Sequence, residues 1–70
     1  MFKISLAAAR VNANMKQAEV AKELAISKTT LISWEKGKSS PKINQFKKLC
    51  QLYGISEDFI FLPTTLQKVE

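Results

Sequence analysis

With 70 residues the chain has room for one domain and one small core, so each apolar position has to count. It is 46% hydrophobic with two glycines and two prolines, which suits a compact helical domain and argues against disorder. A net charge of +5 calls for an anionic partner, and the lone cysteine, Cys50, rules out an internal disulfide.

Ser5 is read as the N-cap of a first helix, because Leu6, Ala9, Arg10 and Ala13 follow at helical spacing. Asn12 to Asn14 reads as its end, since asparagine tolerates the left-handed backbone that closes a helix. A second helix is expected from Gln17 to Leu24, with Val20, Ala21 and Leu24 on one face. Ala25-Ile26 is the break, and Ser27 caps a third helix from Lys28 to Lys36. Leu31 and Trp34 point inward there, and Gly37 is the stop. Ser39-Ser40-Pro41 is a loop whose proline prevents continuation. Ile43, Phe46, Leu49, Cys50 and Tyr53 recur at three and four residues, a fourth amphipathic helix closed by Gly54. Ser56-Glu57-Asp58 reads as the capped start of a short fifth helix, and Pro63 halts the apolar run Phe59 to Leu62. No segment reads as a hairpin, so the expectation is five helices and no sheet.

Two short helices joined by a tight turn, the second opening on small polar residues, make a helix-turn-helix. Val20, Ala21 and Leu24 fix the angle between the two, and Ala21 must be small to let them approach. With Ile26, Leu31 and Trp34 inward, Lys28, Thr29, Thr30 and Ser33 remain free at the start of the second helix. A major groove admits one helix, and such side chains reach base edges and phosphates. The charge follows this segment. From Ser27 to Lys48, Lys28, Lys36, Lys38, Lys42, Lys47 and Lys48 face a single acid, Glu35, so this stretch carries the whole net charge.

The run Gln17 to Gly37, followed by Pro41, resembles the phage repressor/Cro family of helix-turn-helix regulators, also called the XRE family. The residues that carry the resemblance are Gln17 opening the second helix and Ala21-x-x-Leu24 within it. Trp34-Glu35-x-Gly37, Pro41 and Tyr53-Gly54-Ile55-Ser56 match as well. It extends from Leu6 to about Phe61 and implies an all-α, five-helix lambda-repressor-like domain over residues 1–62. Residues 63–70 would form a tail and a candidate dimerisation element.

The resemblance further implies a sequence-specific regulator of transcription whose partner is a double-stranded DNA operator. Lys28, Thr29 and Ser33 match the family's base-facing positions, with Thr30 beside them. Lys28 either donates to guanine or touches a phosphate, and Thr29 offers a methyl or a hydroxyl. Gln17 matches a glutamine that binds a phosphate and braces the recognition helix. Phosphate contacts are also implied for Lys16, Ser27, Lys36, Lys38, Ser39, Ser40 and Lys42, with backbone amides contributing at the start of the fourth helix. Lys47 and Lys48 belong to the peripheral field or are solvated. Arg10 is implied to pair with Glu35 and tie the third helix to the scaffold. Phe59, Ile60, Phe61, Leu62 and Leu66 either form a homodimer interface on DNA or cap the core.

Two positions depart from the family pattern. Lys16 stands where Ser or Thr would cap the second helix, costing about 1 kcal/mol of capping. Ala25 stands where glycine is usual, at about the same cost if its φ is positive.

No catalytic residue, metal site or cofactor is expected. The chain has no histidine, Cys50 has no partner base, and Gly37 and Gly54 are isolated stops rather than a phosphate-binding loop. Met1 to Ser5 show no signal-peptide run and no stretch approaches a membrane span, so a cytoplasmic place is expected, for a protein of a bacterial host or one encoded by a phage. A single domain leaves no room for an inducer, so no small-molecule ligand is expected either. The competing reading is an antitoxin or antirepressor whose main partner is a protein. The polar face of the third helix argues against it. RNA binding lacks stacking aromatics, since Trp34 and Phe46 read as core.

Overall fold

The computed structural model describes residues 3–61. Strand β1 (Ile4–Ser5) leads into helices α1 (Leu6–Asn12), α2 (Gln17–Leu24), α3 (Lys28–Lys36) and α4 (Ile43–Tyr53). A 3-10 turn (Glu57–Phe59) and strand β2 (Ile60–Phe61) follow. The tail from residue 63, with Leu62 and Leu66, lies outside the described residues.

All four helices close in the same way. A residue of positive φ follows each, directly at Ala25, Gly37 and Gly54 and after the intervening Ala13 at Asn14. The next residue's amide donates back to a carbonyl five positions earlier, as in Met15 to Arg10, Ile26 to Ala21, Lys38 to Ser33 and Ile55 to Cys50. Met15, Ile26 and Ile55 pack against the core and so fix the exit direction of α1, α2 and α4. After α3 that place is taken by the exposed Lys38. Ala25 sits at φ 57°, so the glycine that the family pattern favours is replaced at the cost of a left-handed Cβ.

The core is one cluster of Leu6, Ala9, Val20, Leu31, Trp34, Phe46, Leu49, Cys50, Tyr53 and Ile60, with Leu31, Leu49 and Val20 fully enclosed. Ala21 is buried too, consistent with the close approach of α2 to α3. Ile43, counted inward from its spacing, is 59% exposed, because it stands at the first position of α4 before the helix reaches the core.

Among the described residues the expected five helices are four, and the expected absence of a sheet is wrong. Ser56 accepts from the Asp58 amide and starts a turn, but the turn lasts only three residues. The chain then extends through Ile60, which is itself β-branched and is flanked by the aromatic Phe59 and Phe61, residue types that favour a strand. β2 pairs with β1 in parallel, Ile4 opposite Ile60 and Ser5 opposite Phe61. This extended path carries Ile60 into the core, where it is buried. Among the described residues no helix is long and apolar enough to cross a membrane.

Candidate nucleic-acid interface

The N-cap of α3 is Ser27, whose Oγ accepts from the Thr30 amide at 3.1 Å and shares a hydrogen with Thr30 Oγ1 at 2.9 Å. At about 100° per residue, Leu31 and Trp34 define the inward direction of α3. Thr29 and Lys36 then lie opposite the core, with Ile32 on one flank and Ser33 on the other. Lys28 stands at the edge next to Ile32. Thr30 turns toward the core side, and its hydroxyl is occupied by the cap.

Ile32 is the outward residue that sequence reasoning passed over. It is half-buried, yet it is not among the apolar side chains packed against the core. The signal was present, an isoleucine four residues after Lys28 and three after Thr29, but a lone apolar residue in a helix is ordinarily assigned inward.

A polar knot holds α3 in place. Arg10 Nε donates to Glu35 Oε2 at 2.7 Å and Arg10 Nη2 to Oε1 at 3.4 Å. Gln17 Nε2 donates to the same Oε1 at 2.9 Å, and Arg10 Nη1 donates to the Met15 carbonyl at 3.0 Å. The side chains of Arg10 and Glu35 are 16% and 6% exposed, so the pair is largely withdrawn from water. The hydrogen bond to Glu35 pushes the Arg10 pKa up, against the opposing cost of burial. These contacts join the end of α1, the start of α2 and the end of α3. Glu35 is thereby turned away from the lysines of the outer surface. Gln17 spends one amide hydrogen on Glu35 and keeps the other.

The starts of α2 and α4 are built alike and differ from that of α3. Each opens on a lysine, Lys16 or Lys42, whose side chain has no acceptor to offer the first-turn amides. The third helical residue does reach back: Glu19 accepts from the Lys16 amide at 2.7 Å and Gln45 from the Lys42 amide at 2.8 Å. Half of a reciprocal cap is therefore made, and the first-turn amides receive no acceptor from the N-cap side chain.

In the loop after α3, Ser39 Oγ donates to Ser33 Oγ at 3.0 Å, which ties the loop to the outward flank of the helix. Ser40 is half-buried, and Lys38, Ser39 and Lys42 are exposed. Lys47 pairs with Glu57 at 3.4 Å, which offsets its charge. Lys28, Lys36, Lys38 and Lys42 remain as the exposed cations around α3 and the α4 start. Of the apolar run, Ile60 is buried and so withdrawn from any interface, whereas Phe59 and Phe61 are 42% and 52% exposed.

A family model described as helix-turn-helix matches residues 6–60. Over 55 residues the chain is 36% identical to the cryptic phage CTXphi transcriptional repressor RstR of Vibrio cholerae, covering 79% of this chain. It spans only about half (50%) of that repressor's length. Over 49 residues, 70% of the chain, it is 35% identical to an uncharacterized HTH-type transcriptional regulator of Methanocaldococcus jannaschii, covering 74% of that protein. No solved structure matches the chain significantly.

Proposed function

The chain belongs to the phage repressor/Cro (XRE) family of helix-turn-helix proteins, and on that premise we propose that it is a sequence-specific, double-stranded-DNA-binding regulator of transcription. In this reading α3 enters the major groove. Lys28, Thr29 and Ser33 meet base edges, and Lys36 reaches a phosphate. The first turns of α2 and α4 grip the backbone on either side. Lys16, Gln17, Lys38, Ser39, Ser40 and Lys42 supply the side chains there, and the amides left without an acceptor supply the rest. The free amide hydrogen of Gln17 points one donor at a phosphate while the other stays on Glu35, so backbone contact and helix orientation share one side chain.

The observation that carries this reading is the sorting of charge around α3. The one acid of the segment is turned inward onto Arg10, and the exposed cations face out. Two copies coupled through Phe59 and Phe61 would place two recognition helices one DNA turn apart, about 34 Å, and read a palindrome. Repression would follow from occupying a promoter, in keeping with the phage repressor among its relatives.

The test is selection from a random duplex pool at two salt concentrations, with the bound fraction sequenced. Enrichment of a palindromic motif, with affinity falling steeply as salt rises, is the expected result. Salt-sensitive binding with no enriched motif reduces the protein to a non-specific cationic binder. Absence of binding at low salt overturns the reading.

A further inference from the structure

The outward surface of α3 contains one side chain that neither phosphate nor hydrogen-bonding base edges can satisfy. Ile32 lies between Lys28, Thr29 and Lys36 on the helix surface, outside the packed core. A β-branched residue gains nothing from helix propensity at a half-buried position outside the core, where alanine or a straight chain does better. Its setting is cationic: Lys28 and Lys36 are exposed at its i−4 and i+4 positions, and Glu35 is held inward by Arg10 and Gln17. An apolar protein partner would have to desolvate those lysines without a counter-charge. A DNA groove supplies the counter-charge in its phosphates. The apolar feature that the major groove offers an aliphatic side chain is the C5-methyl group of thymine.

We propose that Ile32 is a specificity-determining residue that packs on a thymine methyl in each operator half. The inference rests on the reading of α3 as the major-groove helix. It assigns the second turn of α3 an apolar readout, alongside the polar readout by Lys28, Thr29 and Ser33 at the first turn and its flank. The bond from Ser39 fixes the Ser33 side of the same helix, which leaves Ile32 as the flank that faces the groove without a tether to the loop.

The experiment uses the full chain and the duplex enriched by the wild-type protein. Each thymine is replaced in turn by deoxyuridine, which removes the methyl and nothing else. Wild-type protein and Ile32→Ala are titrated against each duplex. Alanine outside the core keeps the fold, and a thermal melt of the variant checks this. At one symmetric thymine position the wild type is expected to lose about fourfold in affinity per methyl removed, while Ile32→Ala binds the two duplexes alike. An equal loss in both proteins overturns the proposal and assigns the methyl to another side chain, with Thr29 the first candidate. Indifference of the wild type to every replacement overturns it as well. If the wild type enriches no motif at all, the parent reading of α3 fails and takes this one with it.

Discussion

The two ends of the molecule are held by different physics. At the α1–α2–α3 end, Arg10, Gln17 and Glu35 form directional bonds around a nearly buried carboxylate, over a thin apolar layer of Val20, Ala21 and Leu31. At the α4–β2 end, Phe46, Leu49, Cys50, Tyr53 and Ile60 fill volume. Tyr53 borders the knot closely enough to feel the charges of Glu35 and Arg10, yet its hydroxyl is buried with no hydrogen-bond partner. Apolar packing can anchor a helix but tolerates small rotations. A bidentate carboxylate–guanidinium contact does not, so directional bonds belong where a recognition helix must keep its angle. The α4–β2 packing supports α3, and the Arg10–Gln17–Glu35 knot aims it.

Substitutions can break this division of labour. The largest expected effect is Phe46→Ala, about 4 kcal/mol by chemical denaturation, from the lost transfer energy and the cavity left behind. The fraction that remains folded should bind DNA with unchanged affinity, because α3 is still aimed. Glu35→Ala is next, at about 3 kcal/mol, since it leaves Arg10 buried without its counter-charge. Here DNA affinity should fall even after correction for the folded fraction. Equal corrected affinities for the two variants would remove the distinction between support and aim.

Lys16→Ser acts on the start of α2 alone. A serine side chain can accept from the first-turn amides, so stability should rise by about 1 kcal/mol. Affinity for DNA should fall at the same time, and the slope of log K against log salt should shrink by about 0.9 as one cation is lost. Ala25→Gly should add up to about 1 kcal/mol of stability by relieving the left-handed Cβ, and leave the salt slope unchanged.

The smallest effect at neutral pH concerns the supporting end. Burial pushes the Cys50 thiol up to about 11, with Glu57 adding to the shift, and the Tyr53 phenol up to about 12, with Glu35 adding to it. Both groups bind their protons more tightly in the folded chain. The stability this contributes is whole below the unfolded values, 9.0 for the thiol and 10.0 for the phenol, and is lost as pH rises through the folded ones. Denaturation midpoints should therefore be insensitive to these groups up to pH 9 and fall above it. Cys50→Ala should remove the first part of the fall, and Tyr53→Phe the second.

Much of the fold is legible in the sequence because it is written locally. Ser5 and Ser27 cap where their side chains can accept, Gly37 and Gly54 stop helices, and the spacing of Val20, Ala21, Leu31, Trp34 and Phe46 marks what is buried. The β1–β2 pair is not local. Two residues meet two others more than fifty positions away, and neither dipeptide carries a period that could be read. The 3-10 turn followed from that pairing, since Ser56-Glu57-Asp58 would start an α-helix equally well. Ile43 is misjudged because spacing assigns an apolar residue inward and cannot register a helix start, and Ile32, off the inward stripe of Leu31 and Trp34, receives no role at all. In the candidate site, the polar opening of α3 could be read from residue types. The sharing of Glu35 by Arg10 and Gln17, and the Ser39–Ser33 bond, depend on angles between elements that no local pattern encodes.

In the proposed function, α3, flanked by the starts of α2 and α4, is the surface that meets DNA. The most direct test is to titrate the isotope-labelled chain with the enriched duplex and follow backbone amide shifts residue by residue. The largest changes are expected at Lys16–Glu19, Lys28–Lys36 and Lys38–Gln45, with Cys50–Tyr53 almost still. Changes concentrated on Phe59–Phe61, with α3 unmoved, would contradict that reading.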